Sequence, residues 1–144
     1  MMTKRILLPL TRSDTSQAIV PLVADLARGS GASVRLVNVA PVPVERVSHD
    51  GRVVAYANQE MERVEGIRRD DLKSAEAVLE GVPVESVVRF GDPTDEILLE
   101  AETFGADLIA LSAARRGWRR RFFGGVVENL RRRSSVPVLL LAAR

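Results

Sequence analysis

Residues 107–141 read DLIALSAARRGWRRRFFGGVVENLRRRSSVPVLLL, and this stretch decides the fold. Two short apolar runs, 108–111 and 136–141, flank a loop rich in arginine, a Gly-Gly pair and a basic helical pattern. A glycine-containing turn between a buried parallel strand and a helix is where α/β proteins hold phosphate, because free N–H groups and the helix dipole converge there. The stretch predicts such a turn, in which arginines replace some of the residues that usually hold the phosphate.

Three further apolar runs precede this stretch, at residues 5–10, 33–40 and 82–90. Their apolar residues are mostly continuous rather than alternating, which is typical of strands covered on both faces and hence of a parallel sheet. Helical patterns separate the runs, so the order is β-α-β-α-β-α-β-α-β. This alternation predicts a doubly wound, three-layer α/β sandwich with right-handed crossovers, formed by one domain over residues 1–144.

The helical patterns contain several boundary signals. Ser13 or Ser16 is a candidate N-cap for the first helix. Pro21 lies inside the same pattern and predicts a bend or a late start. Asp92, beside Pro93, is expected to serve in a turn or as an N-cap. We also expect a surface loop over 41–56, one long helix over about 57–80, and a last helix from Gly124 to about Arg133.

Composition excludes several kinds of function. The 144-residue chain has no cysteine, which rules out disulfides, thiolate metal sites and a cysteine nucleophile. The single histidine, His49, argues against a His-rich metal site and a Ser-His triad. No apolar run approaches the ~20 residues that a membrane-spanning helix needs, and no signal-peptide core follows residues 1–5. We therefore predict a cytoplasmic protein without membrane contact.

The formal net charge of +2 conceals an uneven distribution. Residues 1–108 carry 12 basic and 18 acidic side chains, whereas residues 109–144 carry nine arginines and one acid, Glu128. A basic C-terminal quarter predicts a local surface that attracts an anionic small molecule or an acidic partner. The arginines of 115–121 with Trp118 would also suit nucleic acid, but such runs are more often solvated loops, so nucleic acid is the less favoured partner.

Four segments have the form of a known family's motifs. KRILLPLTRSDTS at 4–16 is similar to a first strand and turn of the form I-L-V-P-V-D-G-S, and SVRLVNVA at 33–40 to a second strand ending in H-V. GDPTDEILLEAETFGADLIALS at 91–112 is similar to G-x-P…I…A…ADLIVMG. FFGGVVENLRRRSSVPVLLL at 122–141 keeps the spacing of a closing L-L-G-S-V-A-E segment without a gap. Over essentially its whole length, the chain resembles the universal stress protein family.

The resemblance implies a five-stranded sheet of order 3-2-1-4-5, as in adenine nucleotide alpha hydrolase-like folds. The order switches between the first and fourth strands, whose carboxyl ends are the turns at Thr11 and Ser112. Ligands of open parallel α/β sheets bind at such a point. The family commonly forms homodimers by antiparallel pairing of the last strand, here Val136 to Leu141. An apolar edge strand is itself a pairing surface, so we predict a homodimer through this strand.

Members of the family that bind ATP share the motif G-x2-G-x9-G-[ST] after the fourth strand, and this chain departs from it. The first glycine corresponds to Ser112. The second corresponds to Arg115 on an ungapped count, or to Gly117 if this loop, about one residue short, is shifted. The last pair corresponds to Gly124 and Gly125, so the hydroxyl is lost. The Asp that lies at the nucleoside in those members corresponds to Thr11.

Each departure weakens an ATP site, although part of the site is retained. A side chain at Ser112 obstructs close approach to the backbone, and Arg115 fits poorly where a glycine adopts positive φ. The amides near Gly124–Val126 still open a helix, and the arginines of 115–121 can contact phosphate. We therefore predict a degenerate or altered ATP-binding motif, with ATP or another adenine nucleotide as the candidate ligand. Binding of ATP with slow hydrolysis is the alternative.

The motif contains no evident general base and no acid placed to bind Mg²⁺. We therefore predict no catalytic residue and no metal, and we lean against an enzyme without excluding one. Glu128 has a default structural role, because an acid early in a helix complements the dipole. The predicted binding residues are Pro9, Thr11, Val39, Ser112, Arg115, Gly117, Gly124, Gly125 and Val126.

Overall fold

The computed structural model describes residues 3–43, 46–47, 53–55, 57–114 and 122–143. The strands are β1 (Arg5–Pro9), β2 (Ser33–Ala40), β3 (Arg46–Val47), β4 (Val53–Ala55), β5 (Val84–Phe90), β6 (Leu108–Ala114) and β7 (Val138–Ala143). Five of them form a parallel sheet in the order β5-β2-β1-β6-β7, while β3 and β4 form a separate antiparallel pair. The predicted order 3-2-1-4-5 is confirmed.

In the described part of the chain, six helices connect the strands and lie on both faces of the sheet. They are α1 (Asp14–Gln17), α2 (Val20–Ser30), α3 (Ala57–Asp70), α4 (Lys73–Val78), α5 (Pro93–Phe104) and α6 (Phe122–Arg133). Apolar side chains of α2 and α4 pack on one face, and those of α5 and α6 pack on the other. The three-layer sandwich is therefore confirmed. Among the described residues, no helix has the length and hydropathy of a membrane-spanning segment.

The central strand β1 supplies both cores. Its residues Ile6, Leu7 and Leu8 are fully buried. Because alternate side chains of a strand point to opposite faces, Ile6 and Leu8 pack in the core on the α2 side, and Leu7 packs in the core on the α5 side. A continuous apolar run is what a strand covered on both faces requires, which explains why the sequence pattern identified a parallel sheet.

The predicted break near Pro21 is confirmed. Helix α1 ends at Gln17, and α2 begins at Val20 with Pro21 in its first turn. Proline is tolerated there because the first N–H groups of a helix have no intrahelical partner. Ser13 is the N-cap of α1, since its side chain accepts a hydrogen bond from the backbone N–H of Ser16. Asp92 caps α5 in the same way, through the N–H of Asp95.

Three boundaries differ from those expected. The segment 41–56 is not a loop throughout, since it contributes β3 and β4. The expected helix over 57–80 is broken at 71–72 into α3 and α4, and α6 begins at Phe122, two residues before Gly124. A continuous helix over 57–80 would be about 36 Å long, whereas β5 spans about 23 Å. The break lets the chain turn so that Leu72, at the start of α4, is fully buried.

A buried carboxylate joins α5 to two strands, and the sequence pattern did not reveal it. Glu100 of α5 is only 2% exposed, and its two oxygens accept hydrogen bonds from Arg35 Nη1 of β2 at 2.6 Å and Arg89 Nη1 of β5 at 2.8 Å. Arg89 Nε also donates to Glu96 at 2.8 Å. Hydrogen bonding, chiefly with Glu85 for Arg35 and with Glu96 for Arg89, raises the pKa of each arginine above its ordinary value. Both arginines therefore remain charged.

Replacing Glu100→Ala is expected to lower the free energy of unfolding by about 3 kcal/mol, because two largely buried guanidinium groups lose their shared acceptor. Urea denaturation followed by circular dichroism measures this loss. Glu85→Ala is the matched control, since Glu85 also pairs with Arg35 but its side chain is 67% exposed. We expect Glu85→Ala to lower the free energy of unfolding by less than about 1 kcal/mol. Equal losses in the two variants would contradict a special role for the buried carboxylate.

Candidate functional site

A cleft of about 230 Å³ opens at the carboxyl ends of β1, β2 and β6, between the N-terminal parts of α5 and α6. This position is the point where the strand order reverses, the place at which open parallel sheets bind ligands. Its walls are mainly apolar. The described residues that line it are Pro9, Leu10, Thr11, Ser16, Val37, Val39, Pro93, Ile97, Leu111, Ser112 and Val126.

The structure brings most of the predicted site residues to this cleft. Those that line it are Pro9, Thr11, Val39, Ser112 and Val126. Gly124 and Gly125 lie in the first turn of α6, directly before Val126. Arg115 and Gly117 lie outside the described residues, as do the other arginines of 115–121 and His49. The ligand-binding role of all these residues stays a prediction.

The turn after β1 is held by bonds between side chains and backbone. Ser16 Oγ accepts a hydrogen bond from the N–H of Thr11 at 2.8 Å, and Gln17 Nε2 donates to the carbonyl oxygen of Thr11 at 2.7 Å. The Thr11 and Ser13 hydroxyl oxygens lie 3.0 Å apart. A threonine thus shares a hydrogen bond with the Ser13 hydroxyl, and this rim of the cleft presents no carboxylate at that position.

Ser112 ties β6 to the same turn. Its side chain is buried, and its hydroxyl lies within hydrogen-bonding distance of the carbonyl oxygens of Thr15 and Ser16, the latter at 3.0 Å. These carbonyl groups belong to α1, so the serine fastens that short helix to the sheet. The single hydroxyl hydrogen is committed to the backbone and is not available to a ligand.

Replacing Ser112→Ala is expected to lower the free energy of unfolding by about 1–2 kcal/mol, since the hydrogen bond from its buried hydroxyl to the backbone of α1 is lost. Ser30→Ala is the control, because the Ser30 hydroxyl donates only to Leu26 within its own helix. The control should change stability by less than about 0.5 kcal/mol. Thermal and urea unfolding of both variants measure the difference. If Ser30→Ala lost as much stability as Ser112→Ala, the stabilising role of the hydrogen bond between β6 and α1 would be contradicted.

Asn38 also positions the cleft, and it was not identified from the sequence. It is 1% exposed within β2, where Nδ2 donates to the carbonyl oxygen of Leu10 at 2.9 Å and Oδ1 accepts from Arg68 Nη1 at 3.3 Å. The N–H of Leu10 in turn donates to Val37 at 2.9 Å. The end of β1 is therefore fixed to β2 where the chain enters the Thr11 turn. An asparagine near the end of the largely apolar run SVRLVNVA was the available signal.

The cleft is electrically neutral in the part of the chain that the structure describes. All the described lining residues are uncharged. Acids near the start of α5 are engaged elsewhere: Asp92 caps the helix, Glu96 pairs with Arg89, and Asp95 pairs with Arg133 at 2.9 Å. No group of three or more His, Cys, Asp or Glu side chains among the described residues could hold a metal ion. The arrangement is suited to binding an apolar group.

A second hollow, of about 410 Å³, lies between α5 and α6 at the opposite ends of the strands. It is lined by Gly105 and Ala106 before β6, by Ser134 to Val136 before β7, and by side chains of the two helices. Although this hollow is larger, ligands of parallel α/β sheets bind at the carboxyl ends of strands. The smaller cleft is therefore the candidate site.

The fold and the position of this cleft define a nucleotide-binding-like α/β protein. The model of the universal stress protein family matches residues 2–142, so the chain belongs to that family. The predicted family is thereby confirmed. No curated protein was found that matches the chain.

Solved structures of the family share the fold. A universal stress protein family member from Burkholderia pseudomallei is 21% identical, with a TM-score of 0.73 over 99% of this chain and 98% of that one. A universal stress protein in complex with cAMP is 19% identical, with a TM-score of 0.66 over 99% and 98% of the two chains. The universal stress protein from Archaeoglobus fulgidus in complex with dAMP is 19% identical, with a TM-score of 0.62 over 97% and 98%.

Proposed function

We propose that this universal stress protein is a stress-response module that binds an adenine nucleotide in the cleft, with the base held between apolar walls. The observation that carries the proposal is the uncharged, mainly apolar cleft at the switch point of the sheet. Its volume of about 230 Å³ is below the roughly 300–1,000 Å³ of most small-molecule pockets, and therefore suits a base rather than a whole nucleotide. Complexes of related proteins with cAMP and dAMP support the choice of ligand.

The triphosphate contributes little to this binding in our proposal, because the ATP motif is altered. Ser112 stands in place of a glycine, and its hydroxyl donates a hydrogen bond to the backbone of α1. Thr11 stands where ATP-binding members have an aspartate, and Gly125 removes a hydroxyl donor. We propose a binding role rather than catalysis, with slow ATP hydrolysis as the alternative.

Titration calorimetry with adenosine, AMP, ADP and ATP tests the proposed site. We expect the four affinities to lie within about threefold of one another, because each compound places the same base in the cleft. Val39→Phe should weaken all of them by at least about tenfold, since the larger ring fills the cleft. Val78→Phe is the matched control, because Val78 lies on α4 and is already 41% exposed. ATP that binds far more tightly than adenosine would contradict the altered motif.

We also propose that the protein acts as a cytoplasmic homodimer, paired through β7. This edge strand runs from Val138 to Ala143, two residues later than the predicted segment, and its sequence VLLLAA is wholly apolar. An apolar edge strand has unpaired backbone groups that a second copy can pair with. Both copies would then contribute the same strand, as a two-fold axis requires.

Sedimentation equilibrium tests the homodimer and should give twice the chain mass of 15.8 kDa. Ala142→Lys should shift the protein to the monomer, because the exposed Ala142 would carry like charges into the paired edges. Ala77→Lys is the control, since Ala77 is exposed on α4. A monomeric wild-type protein, or a dimer unaffected by Ala142→Lys, would rule out pairing through β7.

A further inference from the structure

We propose that the turn at residues 11–13, which follows β1, is a subsite for a phosphate group carried on the ribose of the bound nucleotide. The inference rests on the proposed adenine site and specifies its ligand class. Thr11, Arg12 and Ser13 form this turn, and Thr11 itself lines the cleft. A phosphate at the ribose 2′ or 3′ position would lie beside Thr11, and the Arg12 guanidinium is the nearest positive charge along the chain.

One of the two hydroxyl hydrogens of Thr11 and Ser13 has no acceptor at this turn. Thr11 Oγ1 accepts from the N–H of Ser13 at 3.3 Å, and Ser13 Oγ accepts from the N–H of Ser16 at 3.1 Å. The two hydroxyl oxygens are 3.0 Å apart, so one hydroxyl hydrogen is used between them. Whichever residue gives that hydrogen, the other keeps its own, because each hydroxyl has one. The pair can thus donate to an anionic oxygen.

Arg12 adds the positive charge. It is exposed, and no hydrogen bond or ion pair links it to another residue in the described part of the chain. A guanidinium can make two parallel hydrogen bonds to a phosphate. Other arginines near the start of α5 differ in this respect, since Arg89 and Arg133 already pair with acids. Arg12 is therefore available to a ligand in a way that they are not.

The described cleft-lining residues, all of them uncharged, suit a phosphorylated ribose as well as a free one, and Arg12 favours the phosphorylated form. Nucleotide sites commonly use an Asp or Glu to bind a ribose hydroxyl, whereas an arginine accommodates a phosphate at that position. The described cleft residues include no acid, so they do not repel such a phosphate. Asp14 follows the turn and is exposed, which makes it the acid that would oppose anion binding.

The orientation of the ligand follows from the two rims of the cleft. Val126 of α6 borders one side of the cleft, one turn after the start of that helix at Phe122. Thr11 borders the cleft at the end of β1, the neighbouring strand. When the base lies between the apolar walls, the ribose lies between these two rims. Its 2′ and 3′ positions then face residues 11–13.

Calorimetry with adenosine, 2′-AMP, 3′-AMP and 5′-AMP tests the subsite at low and moderate salt. We expect 2′-AMP or 3′-AMP to bind at least about tenfold more tightly than adenosine, because a charge-assisted contact forms. Arg12→Gln should remove this gain and leave the affinity for adenosine unchanged. Asp14→Asn should increase the gain, and added salt should reduce it. Thr11→Asp should reverse the preference and favour 5′-AMP.

Arg132→Gln is the matched control, because Arg132 is also exposed but lies in the last turn of α6. Binding of adenosine that depends on Val39, with no gain for 2′-AMP or 3′-AMP, would overturn the subsite and leave the adenine site standing. A gain that survives Arg12→Gln would overturn it equally. If neither adenosine nor any of the nucleotides binds, the proposed function itself fails. Matching thermal unfolding of all variants shows that each is folded.

Discussion

Burial of β1 on both faces is the constraint on which the rest of the structure depends. Three consecutive residues, Ile6 to Leu8, have no exposure, so helices must cover the sheet on each side. Parallel strands require long crossovers, and right-handed crossovers place the helices on one face while strands are added in one direction and on the other face once that direction reverses. The strand order then reverses beside β1. A cleft at its carboxyl end is thus a consequence of how this strand is buried.

The apolar runs predicted the five strands of the main sheet because strands buried on both faces leave a continuous signature that needs no knowledge of their neighbours. The break at 71–72 gave no such signature, since neither proline nor glycine stands at these two positions. The burial of Glu100 could not be predicted from the sequence pattern either. An acid in an amphipathic helix is usually exposed, and its burial depends on Arg35 and Arg89, which are distant in sequence and adjacent only across the sheet.

The candidate site shows a similar division between what the sequence predicts and what only contacts reveal. Comparison with the family motif located the substitutions at Thr11 and Ser112, and it indicated that ligand groups were lost there. It did not indicate what replaces them. Both hydroxyls take part in closing the turn after β1, Thr11 with Ser13 and Ser112 with the backbone of α1. Such partners depend on the approach of β6 to α1, which a motif does not describe.

The two edges of the main sheet differ in chemistry, and this difference governs how the sheet could grow. Strand β5 carries Glu85 and Arg89, whereas β7 carries only aliphatic side chains. If two β7 strands pair, the apolar edge of each copy is used up and only charged edges remain outside. Growth of a continuous sheet then stops after one addition. The same asymmetry that permits association therefore also protects against fibre formation, since no second adhesive edge is left to recruit another chain.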